Sequence, residues 1–261
     1  MDRRKAVIEH YSHINEDLRF SSRAGSVEFL TSVHYIEKYL KPGDRIIEIG
    51  AASGRYSHYF ARKGYEVDAI ELVMHNIELF RENTQPGEKV AIRQGDAVDL
   101  EGVPSDAYDV TLLLGPMYHL FSEEESRAAI SEAIRVTRPG GVIFAAYITN
   151  DFVVYDAFNR GLFESGMIDH TLDPESFRLV PQGSATFSFR RKEEIDDLMK
   201  GFEAERLHYV GTDMLTYLMR DEVDSMSDDM FDMYMRYILS ACERADCVGL
   251  SCHTLDIFRK L

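Results

Sequence analysis

Cysteine is scarce: Cys242, Cys247 and Cys252 are the only three in 261 residues, an odd number gathered late in the chain. That pattern excludes a disulfide framework and reads as reduced thiols. Their spacing, with His253 after the last, lacks the CxxC-like pair of a structural zinc site, so no metal is expected and the thiols read as small buried apolar residues. Positive charge is short as well, with 29 Lys and Arg against 45 Asp and Glu and a net charge of -16. A sequence-independent grip on phosphate backbones needs clustered basic residues, so nucleic acid is not an expected partner. No run approaches the ~18 consecutive apolar residues of a spanning helix, and the opening MDRRKAVIEHYSHINEDLRF lacks the apolar centre of a signal peptide. The expectation is a cytoplasmic protein with no membrane partner, a monomer or homodimer.

What is present is ordinary for a globular chain: 45% hydrophobic and 28% charged residues, enough for one domain over 1–261 with elaborations. The first forty residues read as helix, through AVIEHYSHINEDLRF and then SVEFLTSVHYIEKYL, until PGD stops the pattern. RIIEIG is a short β-branched run, SHYFARKG a helix closed by Gly64, and YEVDAIELV a second strand. The alternation continues through HNIELFREN, VAIRQGDA, YDVTLLLG, EEESRAAISEAIRVT and GGVIFAAYI, which predicts a parallel sheet covered on both faces. After Ile148 the pattern changes. Residues 150–190, with SATFSFR as a β-like run, are too long for a strand-to-helix connection and predict an inserted cap, as do residues 212–247. KEEIDDLMKG is a short helix, AERLHYVG a strand, SDDMFDMYMRYILSACERAD a helix capped by Ser227, and SCHTLDIFRKL a final strand.

The stretch EIGAASG, Glu48 to Gly54, sits where the first strand should end, and ligands of doubly wound sheets bind outside such strand ends. Gly50 and Gly54 let the backbone turn sharply and approach a ligand, and the helix that follows offers free N–H groups. Glu71 ends the second strand near the ~20-residue spacing at which nucleotide-binding folds place a carboxylate on ribose hydroxyls. Asp96 lies where the third strand should end and can accept from an adenine amino group. An adenosine ligand is expected. The dinucleotide pattern would need glycine at 52 and 55, where Ala52 and Arg55 stand, and the phosphate-loop pattern G-x-x-x-x-G-K-[ST] is absent.

EIGAASGRYS resembles the first motif, E/D-x-G-x-G-x-G, of the class I (Rossmann-like) S-adenosylmethionine-dependent methyltransferases. AIELV, QGDAVDL, YDVTLLLGPMYHL and VTRPGGVIFAAYI resemble that family's later motifs in order, over about residues 8–148. The resemblance is nearest to the small-molecule branch with a helical N-terminal cap over 1–40. It implies a doubly wound, seven-stranded, mostly parallel sheet with an antiparallel last strand, and S-adenosyl-L-methionine as cofactor. By the same resemblance, Glu48 and the backbone of Gly50, Ala51, Ala52 and Gly54 hold the methionine end. Glu71 and Leu72 hold the ribose, Asp96 and Ala97 the adenine, and the Leu114–Gly115 backbone the amino group. Ala52 departs from the motif's middle glycine.

A sulfonium methyl needs alignment and dryness more than catalytic machinery, so the lining past the fourth strand should decide the chemistry. Tyr118 and His119 follow that strand's end and are the catalytic candidates; His119 could relay a proton or position the acceptor. Tyr11, His13 and Arg19 are candidates to contact substrate. The acid-rich RDEVDSMSDDMFDM could favour a cationic substrate or be a solvated helix start. The expected activity is methyl transfer to oxygen, nitrogen or sulfur of a small molecule. A non-catalytic S-adenosylmethionine-binding module and an NAD-dependent oxidoreductase remain as alternatives, and a pocket beside the cofactor's sulfur would mark the enzyme.

Overall fold

The computed structural model describes residues 3–183 and 185–261. Residues 1 and 2 of the expected N-terminal cap and residue 184 of the expected insert lie outside the described residues. Strands β1 (Arg45–Ile49), β2 (Glu66–Glu71), β3 (Val90–Gln94), β4 (Tyr108–Leu113) and β5 (Thr137–Ile148) lie parallel. Two further strands, β8 (Ala204–Gly211) and β9 (His253–Lys260), complete a seven-stranded sheet of order β3-β2-β1-β4-β5-β9-β8. β9 is antiparallel to both its neighbours, so it alone runs against the rest, as expected.

The short β-branched runs form central strands because each buries both faces. In β1, Ile46 packs with Phe60, Val110 and Phe144 on one side, while Ile47 and Ile49 pack with Leu113, Ala133 and Ile143 on the other. Each such side chain contributes about 1.5–3 kcal/mol by leaving water. Truncating Ile47 to alanine should cost about 2–5 kcal/mol, because a packed interior closes only partly over the gap.

Four helices connect or cover the parallel half: α2 (Arg23–Glu37), α3 (Arg55–Arg62), α4 (Met74–Asn83) and α5 (Glu123–Val136), preceded by α1 (Arg3–Tyr11). The chain reverses direction of progress between β1 and β4, and the crevice at their carboxyl ends is the topological switch point. AVIEHYSHINEDLRF was expected as one helix; it is instead α1 followed by a separate 3-10 turn over Glu16–Phe20. The reason is local: the Asn15 side chain accepts from the Asp17 N–H and starts a new turn.

The insert after β5 holds α6 (Asn150–Asn159), α7 (Leu162–Ser165) and a hairpin of β6 (His170–Leu172) with β7 (Leu179–Pro181). SATFSFR, expected as β-like, forms no strand over its described residues; a single bridge joins Thr149 to Arg190. Its peptide groups are engaged elsewhere: Thr186 O and Phe187 O face the rings of His119 and His170, and Ser188 N donates to Tyr118 O. Beyond α8 (Lys192–Met199) and β8, a 3-10 turn leads into α9 (Arg220–Asp224) and α10 (Asp228–Ala241). Ser227 caps α10 as expected, accepting from Met230 N. α2 packs on α9 and α10, with Val27, Met214, Ile238 and Ala241 as a small separate core, so the N-terminal and late segments pack on each other. Among the described residues no helix is long and apolar enough to cross a membrane.

Candidate active site

The turn after β1 is held from two sides. Gly50 N and Ala51 N both donate to Ile70 O of β2, at 2.8 and 3.1 Å. Gly50 takes φ +77°, and a β-carbon there would lie 2.7 Å from the Pro116 ring, so the position admits glycine alone. Ala52 also adopts a left-handed φ, +47°, at a cost of roughly 1–2 kcal/mol for a residue with a β-carbon. That strain, rather than crowding of a ligand, is the visible consequence of its departure from glycine. Its N–H donates to Glu71 Oε2 at 2.8 Å.

Glu71 therefore does two jobs. Its Oε1 accepts from Val73 N at 2.8 Å and Asn76 Nδ2 at 3.3 Å, and Oε2 keeps capacity for one further donor. Burial raises its pKa above the ordinary value against these bonds. Glu48 accepts from the N–H (2.9 Å) and the hydroxyl of Ser57. Burial lifts its pKa to about 8, with Glu71 adding repulsion.

Asp96 is already paired. Its Oδ2 accepts from Arg3 at 2.6 Å and Arg4 at 2.7 Å, both on α1, and Arg3 also reaches Glu125 of α5 at 2.9 Å. Burial works to raise the Asp96 pKa, but the bond and charge of Arg3, with help from Val98 N–H and Arg4, hold it below the ordinary value. Helix α1 is thus latched across the expected adenine end.

One chamber gathers Glu48, Gly50, Ala51, Ala52, Glu71, Leu72, Asp96, Ala97, Leu114, Gly115, Tyr118, His119, Tyr11 and Arg19 of the expected residues. Gly54 does not line it: the residue turns the chain into α3 with φ +92°. His13 lines neither this chamber nor its neighbour and is exposed, because the chain breaks out of α1 at that point. Sequence reasoning missed Arg3, Glu16, Asp17, Glu28, Arg55 and Asn76, which also line it. Their signal was too weak, since each is a common charged or polar residue on a helix. Six carboxylates thus face three arginines. That surplus, with a turn into which backbone can press closely, fits a cationic hydroxylated ligand and not a diphosphate.

His119 has both ring nitrogens engaged, Nδ1 with Thr186 O at 2.9 Å and Nε2 with the Tyr11 hydroxyl at 3.1 Å. A carbonyl only accepts, so Nδ1 carries the proton and Nε2 accepts from Tyr11. Burial pushes the His119 pKa down to about 4, which keeps the ring neutral. Tyr118 spends its hydroxyl on Leu114 O at 3.0 Å.

A second chamber, about 240 Å³, shares Tyr11, Glu16, Arg19 and Tyr118 with the first and continues to Ile148, Val153, Phe187, Phe189, Tyr217, Cys252 and His253. Behind it runs a buried chain of charges. The Arg19 guanidinium is stacked on the Phe20 ring and paired with Glu28. Glu28 lies 3.5 Å from His253 Nδ1, which bonds Asp213 Oδ2 at 2.7 Å. Cys252, read as a small apolar residue, is buried beside Asp213 and His253, with ligand-type atoms within 4.8 Å of one another. Asp213 Oδ1 is filled by Ser251 Oγ at 2.6 Å and His253 N at 3.0 Å, so the group is a hydrogen-bonded network.

Residues 46–141, the strands and turns that build the first chamber, match the family model described as a methyltransferase domain. Over those residues the chain carries a methyltransferase domain. An S-adenosyl-L-methionine-dependent Diels-Alderase of Talaromyces variabilis is 31% identical over 106 residues, 39% of this chain and 35% of that protein. A demethylmenaquinone methyltransferase of Renibacterium salmoninarum is 28% identical over 105 residues, 40% and 41% of the two chains. The matches thus span well under half of these relatives' lengths. Magnesium protoporphyrin IX methyltransferase of Synechocystis PCC 6803, solved with bound S-adenosylhomocysteine, superposes over all of both chains with TM-score 0.62 at 12% identity. That likeness shows the Rossmann-like methyltransferase fold.

Proposed function

We propose that this protein binds S-adenosylmethionine in the first chamber and transfers its methyl to an oxygen, nitrogen or sulfur atom of a small molecule held in the second. The observation that carries the reading is the second chamber itself, which adjoins the first across Tyr11, Glu16, Arg19 and Tyr118; a first chamber with no neighbouring space would have suited a sensor. When bound, the cofactor supplies a methyl on a positively charged sulfur, activated toward an in-line nucleophile. Glu48 and the turn from Gly50 to Ala52 hold its amino acid end, Glu71 with Leu72 its ribose, and Asp96 with Ala97 its adenine. The Leu114–Gly115 backbone faces the amino group, with Leu114 O shared with Tyr118. Tyr11, Tyr118 and His119 form a hydrogen-bonded and stacked partition at the junction that excludes water and positions the acceptor. The engaged nitrogens of His119 favour positioning over proton removal.

Residues 1–40, 150–190 and 212–247 act as caps that tighten when ligand is present. The carboxylate surplus of the first chamber supports the cationic cofactor over NAD. A small-molecule acceptor, with no nucleic-acid or membrane partner, agrees with the net charge of -16 and with the chamber's size. We place the protein in the cytoplasm as a monomer or homodimer.

The test is calorimetry with S-adenosylhomocysteine and with NADH, followed by an acceptor screen with methyl-labelled cofactor. Tighter binding of NADH would overturn the cofactor assignment. Conversion of a substrate with the label still on the cofactor would replace methyl transfer by the cofactor-supported chemistry named for the Talaromyces relative.

A further inference from the structure

The second chamber has apolar and aromatic walls, Ile148, Val153, Phe187 and Phe189, and is also lined by the basic side chains of Arg19 and His253. Arg19 uses Nε on Glu16 and Nη1 on Glu28 and Tyr217, at 3.2 Å to the Tyr217 hydroxyl; among the described residues its Nη2 has no partner. His253 gives Nδ1 to Asp213, and its ring also meets the Cys252 thiol, which itself lines the chamber. The Tyr217 hydroxyl accepts from Arg19, so its own proton is free to be donated. All three residues line the chamber, and the rings of Tyr217 and His253 are 5.6 Å apart.

We propose that Arg19, His253 and Tyr217 form a carboxylate clamp, and that the acceptor is a small carboxylic acid with an apolar or aromatic frame. This deepens the reading of the same site as a methyltransferase and rests on it. A planar carboxylate takes two or more converging N–H and O–H donors, and bonds to charged donors are the strong ones. An amine would meet donors where it needs acceptors. Glu16 is the chamber's one carboxylate among its described lining residues, and its Oε2 is held by Arg19 Nε. The remaining negative charges, Glu28 and Asp213, do not line the chamber; they sit behind the donors and fix them in place.

The protonation state of His253 agrees with this role. Burial would lower its pKa, but the carboxylates of Glu28 and Asp213, with Cys252 and Tyr217 nearby, outweigh burial and raise it well above 6.5. The imidazole is then a charged donor at neutral pH. Tyr11, Glu16, Arg19 and Tyr118 are the other ionisable groups lining the chamber. The volume, about 240 Å³, lies below the ~300–1,000 Å³ usual for ligand pockets, which fits a frame of about one ring.

The probes are phenylacetate, its neutral isostere phenylacetamide, and phenethylamine, titrated calorimetrically into the whole protein with and without saturating S-adenosylhomocysteine. Phenylacetate should bind at least tenfold tighter than the amide, and the amine should not compete. Tyr217→Phe removes one donor with little change of shape and should weaken phenylacetate binding by about three- to tenfold while leaving phenylacetamide unchanged. His253→Gln should remove most of the preference. Because that variant leaves buried carboxylates less well paired, wild-type imidazole resonances provide a second readout: His253 should shift with phenylacetate and not with the amide. Equal affinity for acid and amide, or a His253 resonance unmoved by either, overturns the clamp. Failure of S-adenosylhomocysteine to bind would instead overturn the methyltransferase reading, since the acid titration without it is read separately.

Discussion

Replacing Glu48 by glutamine separates two effects that act on the same carboxyl. Burial lifts its pKa from 4.5 to about 8, against the two bonds from Ser57. In the unfolded chain the group should titrate near its ordinary value, so between pH 4.5 and 8 the folded protein holds a proton that the unfolded chain has lost. Stability from this group is therefore greatest below pH 4.5, falls as pH rises, and levels off above 8. At 1.36 kcal/mol per pH unit the fall amounts to about 5 kcal/mol. Glutamine keeps the shape and an acceptor for Ser57 but does not titrate. The advantage of Glu48→Gln over wild type should grow by about 5 kcal/mol from pH 4.5 to 8, roughly 10 °C in Tm for a chain of this size. Thermal scans of both proteins across that range read it directly, and parallel profiles would refute the buried-carboxyl argument. Cofactor binding should run the other way. A cationic ligand favours the carboxylate, so binding releases a proton below pH 8 and tightens toward it, whereas the variant binds weakly at every pH.

Glu71→Ala should weaken S-adenosylhomocysteine binding by roughly 1.5–3 kcal/mol, the size of a hydrogen bond to a charged group, and unchanged affinity by calorimetry would remove the ribose assignment. Ala52→Gly relieves the left-handed strain and should raise Tm by about 2–4 °C, for a gain of about 1 kcal/mol; a lower Tm would mean that the turn is set by something else. His119→Ala should act mainly on acceptor affinity, leaving kcat within about tenfold, because both nitrogens are engaged. A loss of 10²–10⁴ in kcat, the usual worth of a general base, would restore a proton-transfer role. Hydrogen exchange in residues 150–190 and 212–247 should slow when S-adenosylhomocysteine is added; equal rates would make those caps fixed structure.

Much of the sheet was legible because its strands are short, apolar and bounded by glycine turns, as in RIIEIG and YDVTLLLG. The first chamber followed from the same logic, since carboxylates at strand ends converge wherever the sheet brings those ends together. Of the second chamber only Tyr11, Arg19 and Tyr118 were legible. Arg19, Tyr217 and His253 come from a 3-10 turn, another 3-10 turn and the first residue of β9, far apart in sequence. No periodicity links them. Latching of Asp96 by Arg3 and Arg4 was hidden for the same reason, as basic residues on a short helix carry no mark of their partner. SATFSFR misled because strand-like composition describes a fit to neighbours, and here the neighbours are side chains of His119 and His170.

His253 opens β9 and pairs in register with Ile148 at the end of β5, so its imidazole is mounted on the central sheet. Phe187 and Phe189 stand on the insert, in backbone without regular structure. Charge recognition and shape recognition are therefore carried by parts of the chain with different freedom to vary. Drift or deliberate redesign in the insert can recut the frame of the acceptor while the sheet keeps the same charged donor in place. A lineage built on this arrangement can exchange one acid for another without rebuilding the group that holds them.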